Sequence, residues 1–270
     1  METNKTTKTQ VFNLIILDKS GSMDSIRKEA IAGYNETLGS IKAAQLKYYD
    51  TQEHYISLAA FCGCGVDMIY DCIPVKDAEK LTKAKYNPCC MTPLYDAIGK
   101  SIKTLEKKTA DIEDVAVLVT IITDGMENAS MEWTGQAIKK LIDERKEEGW
   151  MFSYIGADHD VEQVAATISI TNTVVWTKTA EGTEAMIDNE NMARERYFEK
   201  MACCEAAAPC MSVSEKKKMR KQFSEEYYKK SPKHSYEQSG DYIIKTYVRE
   251  SSSFTINSLH GISTIDLSDY

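Results

Sequence analysis

Continuous apolar runs alternate with segments of helical periodicity along the first two-thirds of the chain. Residues 10–17 and 115–123 are apolar runs of the length typical of buried strands. Residues 26–41 carry apolar side chains at three- to five-residue spacings, which predicts an amphipathic helix. This alternation favours an α/β fold with a doubly wound, mostly parallel six-stranded sheet. Strand 10–17 then lies beside strand 115–123 where the winding reverses, and ligands bind at such a point.

Two further apolar runs, 55–61 and 66–72, are joined by the short sequence Cys-Gly-Cys-Gly. So short a connection predicts a hairpin, which adds one antiparallel edge strand to the sheet. The remaining predicted elements are helices at 94–105, 136–147 and 161–168 and strands at 150–156 and 173–176. We assign residues 8–201 to this domain, with a closing helix after residue 183. Residues 202–270 form a C-terminal extension, predicted to be partly helical or disordered.

Composition supports a soluble, globular protein. Of the 270 residues, 43% are hydrophobic and 27% are charged, enough for one sizeable core with an appendage. The 41 acidic residues outnumber the 33 basic ones, giving a net charge of −8, which argues against a nucleic-acid surface. The start of the chain does not resemble a signal sequence, and no apolar segment is long enough to span a bilayer. We therefore expect a cytoplasmic location and no membrane contact.

Hydroxyl and carboxylate side chains follow the predicted strands. Asp18, Ser20 and Ser22 come directly after the first strand, Thr92 precedes a helix, and Asp124 closes strand 115–123. Taken singly, each has a simpler interpretation, because such side chains cap helices and form turns. Taken as a set, their hard oxygen atoms suit magnesium or manganese.

The three motifs, Asp-x-Ser-x-Ser, Thr-Pro-Leu-Tyr-Asp-Ala-Ile and Thr-Asp-Gly-Met-Glu-Asn, occur in an order that resembles the von Willebrand factor type A (vWA) domain with its metal-ion-dependent adhesion site. Residues 8–200 are similar to intracellular bacterial and phage members of that family. The resemblance implies that Ser20, Ser22 and Thr92 are hydroxyl ligands of Mg²⁺ or Mn²⁺. Asp18 and Asp124 would approach the same cation directly or through water.

The resemblance also implies a protein-binding role. In the family, an aspartate or glutamate of a protein partner occupies the remaining position on the cation, so we expect a binding module and not an enzyme. An AAA-type ATPase complex is one class of partner that the resemblance implies. The expected rim of the binding surface follows the Asp124 turn and comprises Met126, Glu127, Asn128 and Trp133.

Two alternatives stay open. A metal-dependent phosphoester hydrolase would use the carboxylates with His159, although Asp158 and Asp160 are also explained as caps of the following helix. In the other alternative the metal site is structural and a partner binds the C-terminal tail, where residues 215–221 form a basic run. Such a run is more often a solvated helical face.

The eight cysteines are expected to remain mostly as thiols. Cys62 and Cys64 are separated by one residue, and Cys89–Cys90 and Cys203–Cys204 are adjacent pairs. These spacings lack the Cys-x-x-Cys signature of common zinc sites, so the sequence does not favour structural zinc. Small buried thiols in a tight loop are the simpler interpretation of Cys89 and Cys90.

Overall fold

Six strands make up the main sheet of the computed structural model, which describes residues 8–157, 160–207 and 211–229 and four short strands beyond them. Their spatial order is third, second, first, fourth, fifth, sixth, and every neighbouring pair is parallel except the second and third. The predicted fold class is confirmed, including the antiparallel edge strand. The strands are β1 (Thr9–Asp18), β2 (Gln52–Cys62), β3 (Gly65–Pro74), β4 (Val115–Thr123), β5 (Met151–Gly156) and β6 (Asn172–Val175).

Six helices belong to the same unit as this sheet. Two 3₁₀ turns, Gly21–Ile26 and Val75–Asp77, follow β1 and β3. Where a helix was predicted, its first residue lies within three residues of the predicted position, but α1 ends six residues later than predicted and α2 four residues later. They are α1 (Arg27–Lys47), α2 (Leu94–Thr109), α3 (Gly135–Glu147), α4 (Val161–Thr167), α5 (Ala180–Ala207) and α6 (Val213–Glu225).

The period-two alternation of β1 divides the apolar core between the two faces of the sheet. Phe12, Leu14 and Ile16 pack in one cluster with residues of α2, α3 and α4. Ile15 and Leu17 point to the opposite face and pack in a second cluster with residues of α1 and α5. Because successive strand side chains point to opposite faces, a strand buried on both sides reads as a continuous apolar run.

The register of β1 and β4 decides which polar residues meet at the end of the sheet. Leu17 is paired with Ile122 in the parallel ladder. Asp18 and Thr123 therefore lie level with one another, and Asp124 follows one residue later. The connection after β1 leads towards β2, whereas β4 lies on the other side of β1. This is the reversal of winding at which the sequence predicted a ligand site.

Helices α5 and α6 extend the unit that contains the sheet beyond residue 201. Contacts between residues divide the chain at Tyr228, and α5 continues without a break to Ala207. In α6, Arg220 is only 3% exposed and its guanidinium donates to the Val115 carbonyl at 2.7 Å and to Asp114. Residues 215–221 were predicted to form a solvated helical face. For Arg220 this prediction is wrong, because Asp114 supplies a counter-charge inside the fold.

The second unit begins at Lys229 and contains two separate antiparallel pairs of strands. β7 (Ser235–Ser239) pairs with β8 (Tyr242–Thr246), and β9 (Ser253–Ser258) pairs with β10 (Gly261–Asp266). In the ranges that the structure describes, no helix has the combination of length and apolar character needed to cross a lipid bilayer.

Candidate metal centre

The five predicted ligand residues come together at the carboxyl ends of β1 and β4. We call them the oxygen cluster: Asp18, Ser20, Ser22, Thr92 and Asp124. The hydroxyl oxygens of Ser20 and Ser22 lie 3.1 Å apart, and the Ser22 hydroxyl donates to Asp124 Oδ1 at 2.6 Å. All except Ser22 are buried, and Ser22 is exposed at the surface. The cluster is therefore reached from solvent on the side of Ser22.

Asp18 is held in place by two short hydrogen bonds. The Ser20 amide donates to Oδ1 at 2.6 Å, and the Thr123 hydroxyl donates to Oδ2 at 2.6 Å. Burial raises the pKa of Asp18 to about 6 from its ordinary 3.8, although these hydrogen bonds oppose the shift, and the nearby charge of Asp124 raises it further. Two buried carboxylates side by side favour a positive charge between or beside them.

Thr92 is fixed to the loop after β4 by its backbone. Its amide donates to Asn128 Oδ1 at 2.9 Å, and its carbonyl accepts from the Asn128 amide at 3.1 Å. A Cβ built on Gly125 would lie 3.2 Å from Thr92 Oγ1 and 3.9 Å from Ser22 Oγ. Glycine at this position therefore allows the two hydroxyls and the β4 turn to approach one another closely.

Lys178 is the site residue that sequence reasoning missed. Its ammonium lies 2.7 Å from Asp124 Oδ2, and the lysine side chain is 20% exposed whereas that of Asp124 is fully buried. Its position in the sequence could have indicated this role, because Lys178 follows β6 and the carboxyl ends of parallel strands share one edge of the sheet. A cationic group is thus already in contact with one carboxylate of the oxygen cluster.

The donor set fits a hard divalent cation. Two carboxylates and three hydroxyls offer only oxygen, the ligand type of magnesium and manganese. The contact between Lys178 and Asp124 shows that positive charge is accommodated at this place. In the structure the five predicted residues lie together. That they bind a metal ion stays a prediction.

The predicted rim residues have different environments. Met126 is 58% exposed, as an interface residue should be. Asn128 is exposed, but its amide oxygen is used by the Thr92 amide. Trp133 packs over α2 so closely that a Cβ on Gly99 would lie 2.3 Å from its ring. Met91, directly before Thr92 and also 58% exposed, was not predicted.

Glu127, the fourth predicted rim residue, organises its own loop. Its Oε1 accepts from the amides of Ala129 at 2.8 Å and Ser130 at 2.7 Å, and its Oε2 accepts from the Tyr95 amide at 2.9 Å. Since Tyr95 lies in the first turn of α2, the Glu127 carboxylate also satisfies an amide at that helix terminus.

Asp96 ties the same loop to α2. It accepts from the amides of Met131 at 3.0 Å, Glu132 at 2.9 Å and Trp133 at 2.8 Å. Desolvation of the Asp96 carboxyl acts to raise its pKa, but these three backbone donors outweigh it and lower the pKa below 3.8. The loop that borders the oxygen cluster is therefore held by charge-assisted hydrogen bonds from both Glu127 and Asp96.

The residues considered for a hydrolase are only partly described. Asp158 and His159 lie outside the described residues. Asp160 accepts from the Gln163 amide at 3.0 Å and is the N-cap of α4, as expected of a capping aspartate.

Comparison with known proteins gives matches among solved structures. No family model and no curated protein matches the chain. The D319A mutant of the PilB minor pilin from Streptococcus sanguinis is 12% identical with a TM-score of 0.51, over 70% of this chain and 62% of that one. The open form of the pilus adhesin SpaC from Lactobacillus rhamnosus GG is 16% identical with a TM-score of 0.52, over 71% and 30%. The likeness is one of fold.

The SpRpn10 VWA domain is a further neighbour, 10% identical with a TM-score of 0.44, and the match covers 67% of this chain and 94% of that one. The strand order and strand directions described above make the fold vWA-like. This chain spans 62% of the pilin and 30% of the adhesin, so both are longer proteins that share this fold over part of their length. Identities this low carry no information about ligands or partners.

Proposed function

We propose that this protein is a divalent-cation-dependent protein-binding module. In this proposal the oxygen cluster holds Mg²⁺ or Mn²⁺, and a carboxylate of a protein partner completes the coordination shell. The proposal is one of binding and not of catalysis. The partner presents aspartate or glutamate. An AAA-type ATPase assembly as the partner rests on the sequence resemblance alone. The proposal includes a cytoplasmic location, which rests on the apolar pattern of the sequence and not on that resemblance.

The observation that carries the proposal is the convergence of three distant segments on Asp124. Ser22, from the turn after β1, donates to one carboxylate oxygen at 2.6 Å, and Lys178, from beyond β6, contacts the other at 2.7 Å. Thr92, from the loop before α2, borders Gly125 in the same turn. Ordinary capping does not require residues so far apart in sequence to meet.

A bound divalent ion would supply a Lewis-acidic vertex that accepts an outside oxygen. The residues of the chain would do the rest. Asp18 and Asp124 offset the charge, Ser20, Ser22 and Thr92 add neutral oxygens, and the backbone amide of Ser20 keeps Asp18 oriented. Five side-chain donors are one fewer than the six oxygens of an octahedral shell, so the set leaves room for a partner.

The surroundings of the cluster support a protein partner. Met91 precedes Thr92 and Met126 follows Gly125, and both side chains are 58% exposed. Methionine is enriched at interfaces, where its flexible side chain adapts to different partners. Two exposed methionines beside the cation site would form an apolar surface around the bound carboxylate of the partner.

Calorimetric titration of Mg²⁺ and Mn²⁺ tests the metal part of this proposal. We expect one saturable site in the wild type and its loss in Asp124→Asn, which keeps the shape of the side chain but removes its charge. Asp143→Asn, at an exposed position on α3, is the charge-matched control and should bind as the wild type does. Absence of uptake by the wild type, or unchanged uptake by Asp124→Asn, would falsify the metal assignment.

Partner capture from lysate tests the binding part. We expect capture in Mg²⁺ that is lost in Asp124→Asn and retained by Asp143→Asn. A chain ending at Tyr228, where the first compact unit ends, separates this proposal from binding through the tail. Capture that survives Asp124→Asn and disappears only on truncation would assign partner binding to the C-terminal residues instead.

A further inference from the structure

Four thiols from two separate segments meet beside the oxygen cluster. Cys62 and Cys64 lie at the turn between β2 and β3, and Cys89 and Cys90 lie in the loop before α2. The sulfurs of Cys62 and Cys89 are 3.5 Å apart, those of Cys64 and Cys89 are 3.9 Å apart, and those of Cys64 and Cys90 are 3.4 Å apart. The sequence spacing did not predict this meeting, because the two pairs come together only in the folded chain.

Three of the six sulfur separations among these thiols are close to those of a tetrahedral thiolate site. An ion bonded to sulfur at about 2.3 Å in tetrahedral geometry holds its ligand atoms about 3.8 Å from one another. The three measured distances lie on either side of that value. The ligand atoms of Cys62, Cys64 and Cys89 all lie within 4.8 Å of one another, and Cys90 joins them through Cys64.

Backbone contacts fix the two segments relative to one another. The Cys89 amide donates to the Lys19 carbonyl at 2.8 Å, and the Gly21 amide donates to the Cys90 carbonyl at 3.0 Å. Cys90 has a φ of +63°, a left-handed conformation that is uncommon for a non-glycine residue. A Cβ on Gly63 would lie 3.1 Å from Cys90 Cβ, so the glycine allows the close approach of the two segments.

From this geometry we propose that Cys62, Cys64, Cys89 and Cys90 form a thiolate site for Zn²⁺. Thiolate sulfur is a soft ligand that selects zinc over magnesium, which makes this site chemically distinct from the oxygen cluster. Binding is ligand exchange without oxidation: each thiol releases its proton to solvent as a sulfur–zinc bond forms. The proposal does not depend on the proposed function of the oxygen cluster.

The accessibility of the thiols agrees with metal uptake. Cys64 and Cys90 are exposed while Cys62 is buried, so an ion has a path from solvent to the innermost sulfur.

Metal titration of the fully reduced, full-length protein tests this site. Zn²⁺ is added against a chromophoric chelator, and Co²⁺ serves as a spectroscopic probe because thiolate ligation gives intense charge-transfer absorption. We expect one equivalent of tightly bound Zn²⁺ and a tetrahedral thiolate spectrum with Co²⁺. Binding should release about four protons, one from each of the four thiols.

Three single variants decide the assignment. Cys64→Ser, at an exposed position in a turn, should keep the fold and weaken Zn²⁺ binding by at least about tenfold. Cys203→Ser removes a thiol on α5 and should bind like the wild type. Asp124→Asn should keep its Zn²⁺ while losing Mg²⁺, which separates failure of this site from failure of the oxygen cluster.

Two results would overturn the proposal. One is the absence of stoichiometric Zn²⁺ uptake by reduced wild-type protein. The other is a Co²⁺ spectrum without thiolate charge transfer, or one that Cys64→Ser leaves unchanged.

Discussion

Two of the groups of polar side chains that are buried on this sheet differ in how their charge is balanced. The oxygen cluster lies at the strand ends, where Asp18 and Asp124 are both buried and Lys178 contacts Asp124 alone of the two. The other group, which we call the sealed network, lies between α5 and the middle of the strands. Its members are Asn13, Thr120, Ser153, Glu190, Arg194, Tyr227 and Tyr228.

The sealed network contains one charge of each sign, and the two charged groups pair with each other, while Arg194 Nε is left without a hydrogen-bond partner among the described residues. Glu190 Oε1 lies 2.6 Å from Arg194 Nη2 and accepts from the hydroxyls of Thr120 at 3.0 Å and Tyr227 at 3.1 Å. Arg194 also donates to Asn13 at 3.2 Å. A buried pair with its counter-charge and hydrogen bonds in place belongs to the structure. An excess of carboxylate at an accessible strand end is what a cation site requires.

The largest effect is expected from breaking the sealed network. Arg194→Met leaves Glu190 as an uncompensated buried charge and should lower the free energy of unfolding by about 3–5 kcal/mol. Urea denaturation measures it. Lys47→Met, which breaks the exposed pair with Glu195 at 3.0 Å, is the control and should cost about 1 kcal/mol or less. Equal costs in the two variants would contradict the view that the network is sealed.

The oxygen cluster should stabilise the fold only when a cation is present. At Mg²⁺ about 100-fold above its dissociation constant, binding to the folded state adds about 2.7 kcal/mol. For a chain of this size this raises Tm by roughly 5–11 °C. Thermal unfolding with and without Mg²⁺ measures the shift. We expect none in Asp124→Asn, and an equal shift there would show that Mg²⁺ acts elsewhere.

His54, beside the sealed network, is kept neutral in the folded protein because it is buried and because a second positive charge near Arg194 is unfavourable. Burial lowers its pKa to about 3 from 6.5, and the charge of Arg194 lowers it further. Below pH 6.5 the unfolded chain binds a proton that the folded protein does not, so stability is complete above this pH and falls as pH drops towards 3. The loss between about pH 7.5 and about pH 5 amounts to about 2 kcal/mol.

His54→Gln should remove that part of the pH dependence. The measurement is the difference in unfolding free energy between the two pH values, in variant and wild type. Because the carboxylates titrate equally in both proteins, the difference between them isolates His54. A variant with the full wild-type pH dependence would mean that His54 becomes protonated within the fold.

The smallest expected effect concerns Lys178, whose ammonium competes with an added cation for Asp124. Lys178→Met should tighten Mg²⁺ binding about tenfold, or about 1.4 kcal/mol. Lys140→Met removes the same charge from an exposed position on α3 and should change the affinity much less. Calorimetric titration compares the two variants. Weaker binding in Lys178→Met would mean that the lysine supports the site instead of competing for it.

The strands of the main sheet could be predicted because the sequence patterns that indicate them are local. The apolar run of β4 was placed at Val115–Thr123, the bounds that the structure has, and the hairpin of β2 and β3 was recognised from its short glycine-containing connection. The oxygen cluster was found because each of its members lies at the end of an apolar run or just before a helix. The resemblance to vWA domains then grouped three motifs that single-residue reasoning would have left as caps and turns.

Other features depend on contacts that have no pattern along the chain. The pairing of Cys64 with Cys89 and Cys90 depends on how the β2–β3 turn packs against the loop before α2. Burial of Arg220 depends on Asp114, which is 106 residues away. The basic run that contains Arg220 looked solvated, because a list of charges does not show where a counter-charge lies in space.

By itself, the amino-acid sequence determined the α/β class and the order of the strands and helices of the main sheet, since hydrophobic period is a property of neighbouring residues. It also supplied the three motifs through which the resemblance to vWA domains singled out the five oxygen-bearing residues. Only the tertiary structure decided that Lys178 contacts Asp124, that four thiols converge, and that Glu190 and Arg194 of α5 are buried against the sheet. These are distances between residues remote in sequence. They follow from strand register and helix packing, which bring chemically unlike segments together without any shared pattern.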